Sequence, residues 1–417
     1  MTTVGLIVEY NPFHNGHRYH LQQSRKITGA DAVVAVMSGH FLQRGEPAMA
    51  DKWLRTRMAL EGGCDLVIEL PVAYATQPAE WFAYGAVKLL KATGVVDAFC
   101  FGTESGSLDP LLAAADAAAF EPQRFKDLLK RQLNQGAPYP SAYSSAIASY
   151  LNELGLPEAA SFPFSQPNHT LGLHYLIALN RLGGGLRPYT IARQGAQYGD
   201  TSIDDGPIAS ATALRKLLSE GGRLEDIKPY VPASTLHILT EARNNGIPPI
   251  GWDTFLPQLM HVIATSGASG LRELRDVTEG LEHRIVKSLS AMQGFDMEHL
   301  LNALKTKRYT RTKLQRALLS ILLGHAKSDF TREKLEEGVR YIRVLGFSPK
   351  GQELLAEMRR SAALPVLLNA SRLAETNRYL ELDIAATGAY MLGMPGADLP
   401  SAMLRDFRDK PVMLAPE

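Results

Sequence analysis

The chain has 417 residues, 45% of them hydrophobic and 21% charged, which is enough apolar material to bury a sizeable core and too much for a disordered chain. Forty-four Lys and Arg against 43 Asp and Glu leave a formal charge of +1, which excludes a general polycation; any nucleic-acid surface must be a local patch. Cys64 and Cys100 fit unpaired core thiols rather than a disulfide framework, and with no leader-like or bilayer-length apolar run a cytoplasmic protein with no membrane partner is expected.

Five apolar runs read as buried parallel strands: Val4 to Val8, Ala32 to Met37, Leu66 to Leu70, Ala98 to Phe101, and Pro188 to Ala192. Helix-spaced stretches separate them at His17 to Thr28, Asp51 to Gly62 and Ala79 to Thr93, followed by a mostly helical insertion from Leu108 to about Leu182. This alternation predicts an α/β fold with a Rossmann-like doubly wound parallel sheet, which binds ligands at the carboxyl ends of its strands; if the order is 3-2-1-4-5, strands one and four flank that crevice. From about Pro232 helix follows helix, including Arg311 to Leu323, Arg332 to Leu345 and Ser371 to Leu380, which predicts an all-helical C-terminal domain. The expected division is 1–231, the sheet domain with the insertion, and 232–417, the helical domain.

The densest chemistry lies in Tyr10-Asn11-Pro12-Phe13-His14-Asn15-Gly16-His17, directly after the first strand and at the mouth of the first helix. Gly16 permits close backbone approach there, a helix N-terminus attracts phosphate, and two imidazoles three residues apart can stabilise charge developing on a phosphorus centre. The competing readings are a capping loop with solvent-exposed histidines and a zinc site from His14, His17 and His20. Their i, i+3, i+6 spacing splays three ligands around a helix, and no Cys lies nearby.

Gly102, ending the fourth strand, has no side chain to block an adenine or ribose; an ordinary turn glycine is the alternative. Arg193 ends the fifth strand as a permanent cation on the same rim, or else as a ligand-free surface arginine. The loop Ser38 to Gly45 offers His40, Gln43 and Arg44 to a second substrate or to phosphates, unless it is merely structural. Lys305, Lys307, Arg308, Arg311, Lys313 and Arg316 fall within twelve residues that hold no acid, with Tyr309 among them. Such a segment suits RNA phosphates and an unpaired base, against the alternative of a solvated helix start.

Asn11-Pro12-Phe13-His14-Asn15-Gly16-His17 resembles the HxGH signature of the nucleotidyltransferase superfamily, whose members react at the α-phosphate of ATP. The superfamily's second signature, Ile-Ser-Ser-Thr-x-x-Arg, is matched by Ile208-Ala209-Ser210-Ala211-Thr212-Ala213-Leu214-Arg215 with Ala211 in place of the second Ser. Val36 to Ala48, Phe101-Gly102-Thr103-Glu104, Pro167-Asn168-His169-Thr170-Leu171-Gly172 and Lys307 to Arg316 narrow the resemblance to the bacterial tRNA(Met) cytidine acetate ligases.

The resemblance implies a nucleotidyltransferase-type sheet, catalysis by His14 and His17, and ATP with Mg²⁺. Its ATP site would comprise Ile7, Val8, Glu9, Tyr10, Asn11, Pro12, Phe13, His14, Asn15, Gly16, His17, His20, Gly102, Asn168, Arg193, Ser210, Thr212 and Arg215. Asn168 also suits the N-cap of a helix running to Arg181. The implied partners are acetate and elongator tRNA(Met), whose wobble cytidine would be acetylated, with no DNA partner. Two other classes stay open: a small-molecule adenylyltransferase, and an RNA-binding protein with a regulatory nucleotide site.

Overall fold

The computed structural model describes residues 1–193, 206, 208–306, 309–372 and 377–415. Its centre is a sheet whose first five strands are β1 (Thr3–Val8), β2 (Ala32–Ser38), β3 (Leu66–Leu70), β4 (Ala98–Thr103) and β5 (Arg187–Ala192). All pairings among these five are parallel, as the alternation of elements predicts, and their order is 3-2-1-4-5, so β1 and β4 do flank the crevice. Every residue of β2 and β3 is buried, because helices cover both faces. Val34 and Val36 pack into one layer, with the helix Ala79–Ala92; Val33, Ala35 and Met37 pack into the other, with Leu21 and Leu60 of the helices Asn15–Thr28 and Lys52–Glu61.

The insertion between β4 and β5 is helical, at Asp109–Ala118, Gln123–Asn134, Tyr139–Glu153 and Pro167–Arg181. The last of these packs on the helix Ala79–Ala92 and on β4, and so reaches the crevice beside Gly102. Its N-cap is Gln166 rather than Asn168, which sits inside the first turn.

The C-terminal region is mostly helical, but not helix alone. The helix expected from Arg332 to Leu345 stops at Glu337, and β6 (Ile342–Phe347) follows, antiparallel to β3. Two short strands, β7 (Val366–Leu367) and β8 (Val412–Met413), pair parallel to β6. Gly338, at φ 76°, breaks the helix, and β6 satisfies the backbone edge that β3 would otherwise expose. The C-terminal region therefore shares the sheet that carries the crevice. Buried Lys52 reinforces the join, with Nζ 2.9 Å from Glu69 and 2.7 Å from Asp406.

Candidate active site

The loop after β1 is held from beneath. Arg55, fully buried, donates from Nη1 to the Glu9 carbonyl at 2.7 Å and to the Ser38 carbonyl at 3.0 Å, while Asn11 Oδ1 accepts the Met49 N–H at 2.8 Å. Tyr10, Asn11, Pro12 and Phe13 are all buried, and the Tyr10 and Phe13 rings meet edge to face at 4.7 Å. These four residues support the loop rather than line the crevice.

His14 is the N-cap of the helix Asn15–Thr28, its Nδ1 accepting the Gly16 N–H at 3.0 Å. His17 Nδ1 in turn accepts the His14 N–H at 3.3 Å, and the two rings lie 3.7 Å apart. A β-carbon on Gly16 would come within 2.8 Å of the His14 ring, so the cap needs glycine there. Since His14 Nδ1 accepts, its neutral ring carries its proton on Nε2 and is a donor at that atom, whereas the His17 ring also bonds the Pro12 carbonyl. Burial, with help from Arg193 and Arg215, pushes His14 down to about 3. Burial, the neighbouring His14 and Arg193 hold His17 well below the usual imidazole range. His20 is pushed down to about 4 by burial and Arg193, and its buried Nε2 has no hydrogen-bond partner among the described residues.

A crevice of about 200 Å³ opens above these histidines. Ile7, Val8, Glu9, His14, Gly16, His17, His20, Gln43, Gly102, Asn168, Arg193 and Ser210 line it together, from sequence positions up to two hundred residues apart. Asn15, Thr212, Arg215, His40 and Arg44 do not line it. Arg215 instead braces the loop, donating to the Asn11 carbonyl at 3.0 Å and to Glu46 at 3.2 Å, and Asn15 Nδ2 donates to the Pro229 carbonyl. Ser210 caps the helix Ala211–Ser219 by accepting the Ala213 N–H at 3.0 Å.

The sequence reading missed the apolar wall of Tyr19, Phe82, Phe101, Leu171, Tyr175 and Ile191. It also missed the work of Glu104, which accepts the Asn168 N–H and Nδ2–H at 2.9 Å and the His169 N–H at 3.0 Å. That carboxylate both caps the helix and fixes the Asn168 amide in the crevice wall; its place in the Phe101-Gly102-Thr103-Glu104 block was the available signal.

The HIGH nucleotidyl transferase family profile matches residues 1–401. A tRNA(Met) cytidine acetate ligase of Lysinibacillus sphaericus is 40% identical over 415 residues, covering 99% of this chain and 100% of that one. The protein of the same name from Caldanaerobacter subterraneus is 41% identical, over 94% of this chain and 95% of its own. The chain belongs to the HIGH nucleotidyl transferases, among the tRNA(Met) cytidine acetate ligases. The crystal structure of Thermotoga maritima TmcAL in its apo form superposes with a TM-score of 0.92 at 34% identity, covering 99% of this chain and all of that one. Its form bound with alpha-thio ATP gives 0.90 at 33% identity.

Within this family fold, two expected contact groups sit differently from the sequence reading. His40 is buried, its ring 4.4 Å from Tyr390 and 5.5 Å from Trp53, with Nδ1 3.3 Å from Thr387 Oγ1. It fastens the loop to the helix Arg378–Met391 and does not face the crevice. In the basic segment, Tyr309 is buried, donates its hydroxyl to the Glu279 carbonyl at 3.0 Å, and carries Lys313 Nζ over its ring, so it does not offer a stacking face. Arg311 pairs with both oxygens of Glu298, and Lys313 lies 3.6 Å from Glu279. Lys305 is exposed, Arg316 is half-buried, and Lys307 and Arg308 lie outside the described residues. Acids from neighbouring elements thus offset a segment that has none of its own.

Proposed function

We propose that the protein activates acetate with ATP and passes the acetyl group to the wobble cytidine of elongator tRNA(Met), forming N4-acetylcytidine and releasing AMP and pyrophosphate. The observation that carries this reading is the pair of imidazoles of His14 and His17 lining the crevice at a helix N-terminus, beside the cation of Arg193.

Acetate is a poor acyl donor because it would have to expel oxide. Its carboxylate therefore attacks the α-phosphate of ATP, giving acetyl-adenylate and pyrophosphate. His14 and His17 donate to the phosphate oxygens as charge builds on them, and neutral imidazoles can do so without titrating near pH 7. Mg²⁺ bound together with the triphosphate would supply charge neutralisation there. The cytidine amine then attacks the acetyl carbonyl and AMP leaves, with no covalent enzyme intermediate. An anticodon loop gives up a base to the crevice more readily than a duplex does, so RNA rather than DNA is the acceptor.

In this reading residues 1–231 carry out adenylation and residues 232–417 help hold the tRNA, with Lys305, Lys307, Arg308, Arg311, Lys313 and Arg316 supplying phosphate contacts. No helix among the described residues is long and apolar enough to cross a membrane, and a cytoplasmic site of action suits a tRNA substrate. The test is to incubate the protein with ATP, Mg²⁺, labelled acetate and bulk bacterial tRNA, and then to digest the tRNA. Labelled N4-acetylcytidine is expected. ATP binding without acetate-dependent pyrophosphate exchange would overturn the proposal in favour of a regulatory nucleotide site.

A further inference from the structure

Among the described residues that line the crevice, Glu9 is the sole acid. ATP and acetate are both anions, so a carboxylate facing them opposes the first step rather than assisting it. The wall it occupies is also distinctive. Gly102 and Arg193 belong to the β4 and β5 side of β1, whereas Glu9 is fixed from the β2 side, its Oε1 accepting the Gln43 N–H at 2.8 Å.

The loop that carries Gln43 is docked on the helix Arg311–Leu322, where the basic segment continues. Glu46 Oε1 accepts from Gln315 Nε2 at 3.1 Å, and Trp252 Nε1 donates to the Gly45 carbonyl at 3.0 Å. Gly45, at φ 77°, lies so close that a β-carbon would sit 2.5 Å from the Arg316 nitrogen. The Glu9 side of the crevice is therefore the side joined, through the Gln43 loop, to the helix that continues the basic segment.

We propose that Glu9 is the general base of the acyl-transfer step, accepting the proton that the cytidine amine loses as its nitrogen bonds to the acetyl carbon. This rests on the acyl-transfer function above. The exocyclic amine shares its lone pair with the pyrimidine ring and is a weak nucleophile, but its N–H becomes acidic as the new bond forms. In the balanced step the N–C bond forms, the N–H proton passes to the Glu9 carboxylate, and the acetyl C–O bond to phosphate breaks with its electron pair leaving on AMP. Water then takes the proton from Glu9.

The charged and titratable groups around Glu9 are Glu46, Arg215 and Arg55, with the neutral histidines His14, His17 and His20 on the helix that follows. Burial raises Glu9 above the usual carboxylate range, and Glu46 adds to this. The Gln43 N–H, Arg215 and Arg55 oppose it without cancelling it. A carboxylate tuned upward is a better proton acceptor near neutral pH.

Glu9→Gln retains an oxygen for the Gln43 N–H and removes the base. Two steps are then measured separately: acetate-dependent ATP–pyrophosphate exchange, and single-turnover transfer from enzyme-bound acetyl-adenylate to tRNA. Transfer should fall by roughly 10²–10⁴-fold, far beyond whatever change the lost crevice carboxylate makes in exchange, which is measured in parallel on the same variant. The parent's transfer rate should drop as pH falls through the Glu9 pKa, and the variant's should not. Unchanged transfer overturns the proposal. An equal fall in exchange and transfer, or exchange regained at high Mg²⁺, also overturns it by assigning Glu9 to the ATP step. A parent that shows neither exchange nor N4-acetylcytidine would instead refute the function on which the proposal rests.

Discussion

His14 has two tasks that a single substitution can separate, because its Nδ1 caps a helix while its Nε2 is left to donate into the crevice. Asn at this position would keep the first task, since its side-chain oxygen can take the Gly16 N–H that Nδ1 now accepts at 3.0 Å, and Asn is among the best N-caps. Ala would leave that N–H unpaired at a cost of about 1 kcal/mol. Both variants lose the Nε2 donor, which at a site of developing charge is worth roughly 10²–10³-fold in rate. The expected pattern is thus an unfolding midpoint in urea near the parent's for His14→Asn and a lower one for His14→Ala. Acetate-dependent pyrophosphate exchange should be reduced about equally, by two to three orders of magnitude, in both. With a pKa of about 3, only about one ring in 10⁴ is charged at pH 7 in the free protein, so protonation of His14 should leave no inflection in exchange between pH 6 and 8. Exchange by His14→Asn at the parental rate, or rates that merely follow the loss of stability, would refute the assignment.

Burial holds His14 at about 3 and His174 at about 4, so on acidification the unfolded chain, with imidazoles near 6.5, takes up protons first. Stability should be insensitive to these groups above about pH 6.5 and decline below it, by roughly 1 kcal/mol for each at pH 5.5. Urea melts at pH 7.5 and 5.5 check this, and an equal loss in parent and His174→Leu would contradict it. Asn168→Asp replaces a donor 2.9 Å from Glu104 with a second carboxylate, so the pair must share a proton and stability should fall by about 2 kcal/mol at pH 7. An unchanged melting temperature would show that the Glu104 contact does not hold in solution. Glu279→Gln with Glu298→Gln releases Lys313 and Arg311 from their acids, and should tighten tRNA binding at low salt and steepen its log–log salt dependence by roughly 1 to 2. An unaltered slope would mean that neither cation reaches an RNA phosphate.

The parts of this molecule that were legible in the sequence are those written into a short window. β1 to β5 are continuous apolar runs because helices cover both their faces, and their parallel pairing follows from the strand and helix alternation. The histidine loop was legible because its Pro, Gly and imidazoles all lie within nine residues of the end of the first strand. β6 was not, since its six residues follow a charged helix and their strand character comes from pairing with β3, nearly three hundred residues earlier. His40 and Tyr309 were misjudged for the same reason: the rings and carbonyls that bury them belong to Tyr390, Trp53 and Glu279.

Charge was the least legible property of all. An acid-free segment is only as basic as its neighbours in space allow, and here Glu279 and Glu298 approach it from other elements. Glu46 makes the point most sharply, since one carboxylate holds Arg215, which braces the histidine loop, and Gln315 from the basic helix, partners 169 and 269 residues away. No local pattern encodes that bridge. Yet it sets the loop that carries Gln43, and through Gln43 the carboxylate of Glu9, so the element joining the two halves of the reaction exists only in the folded chain.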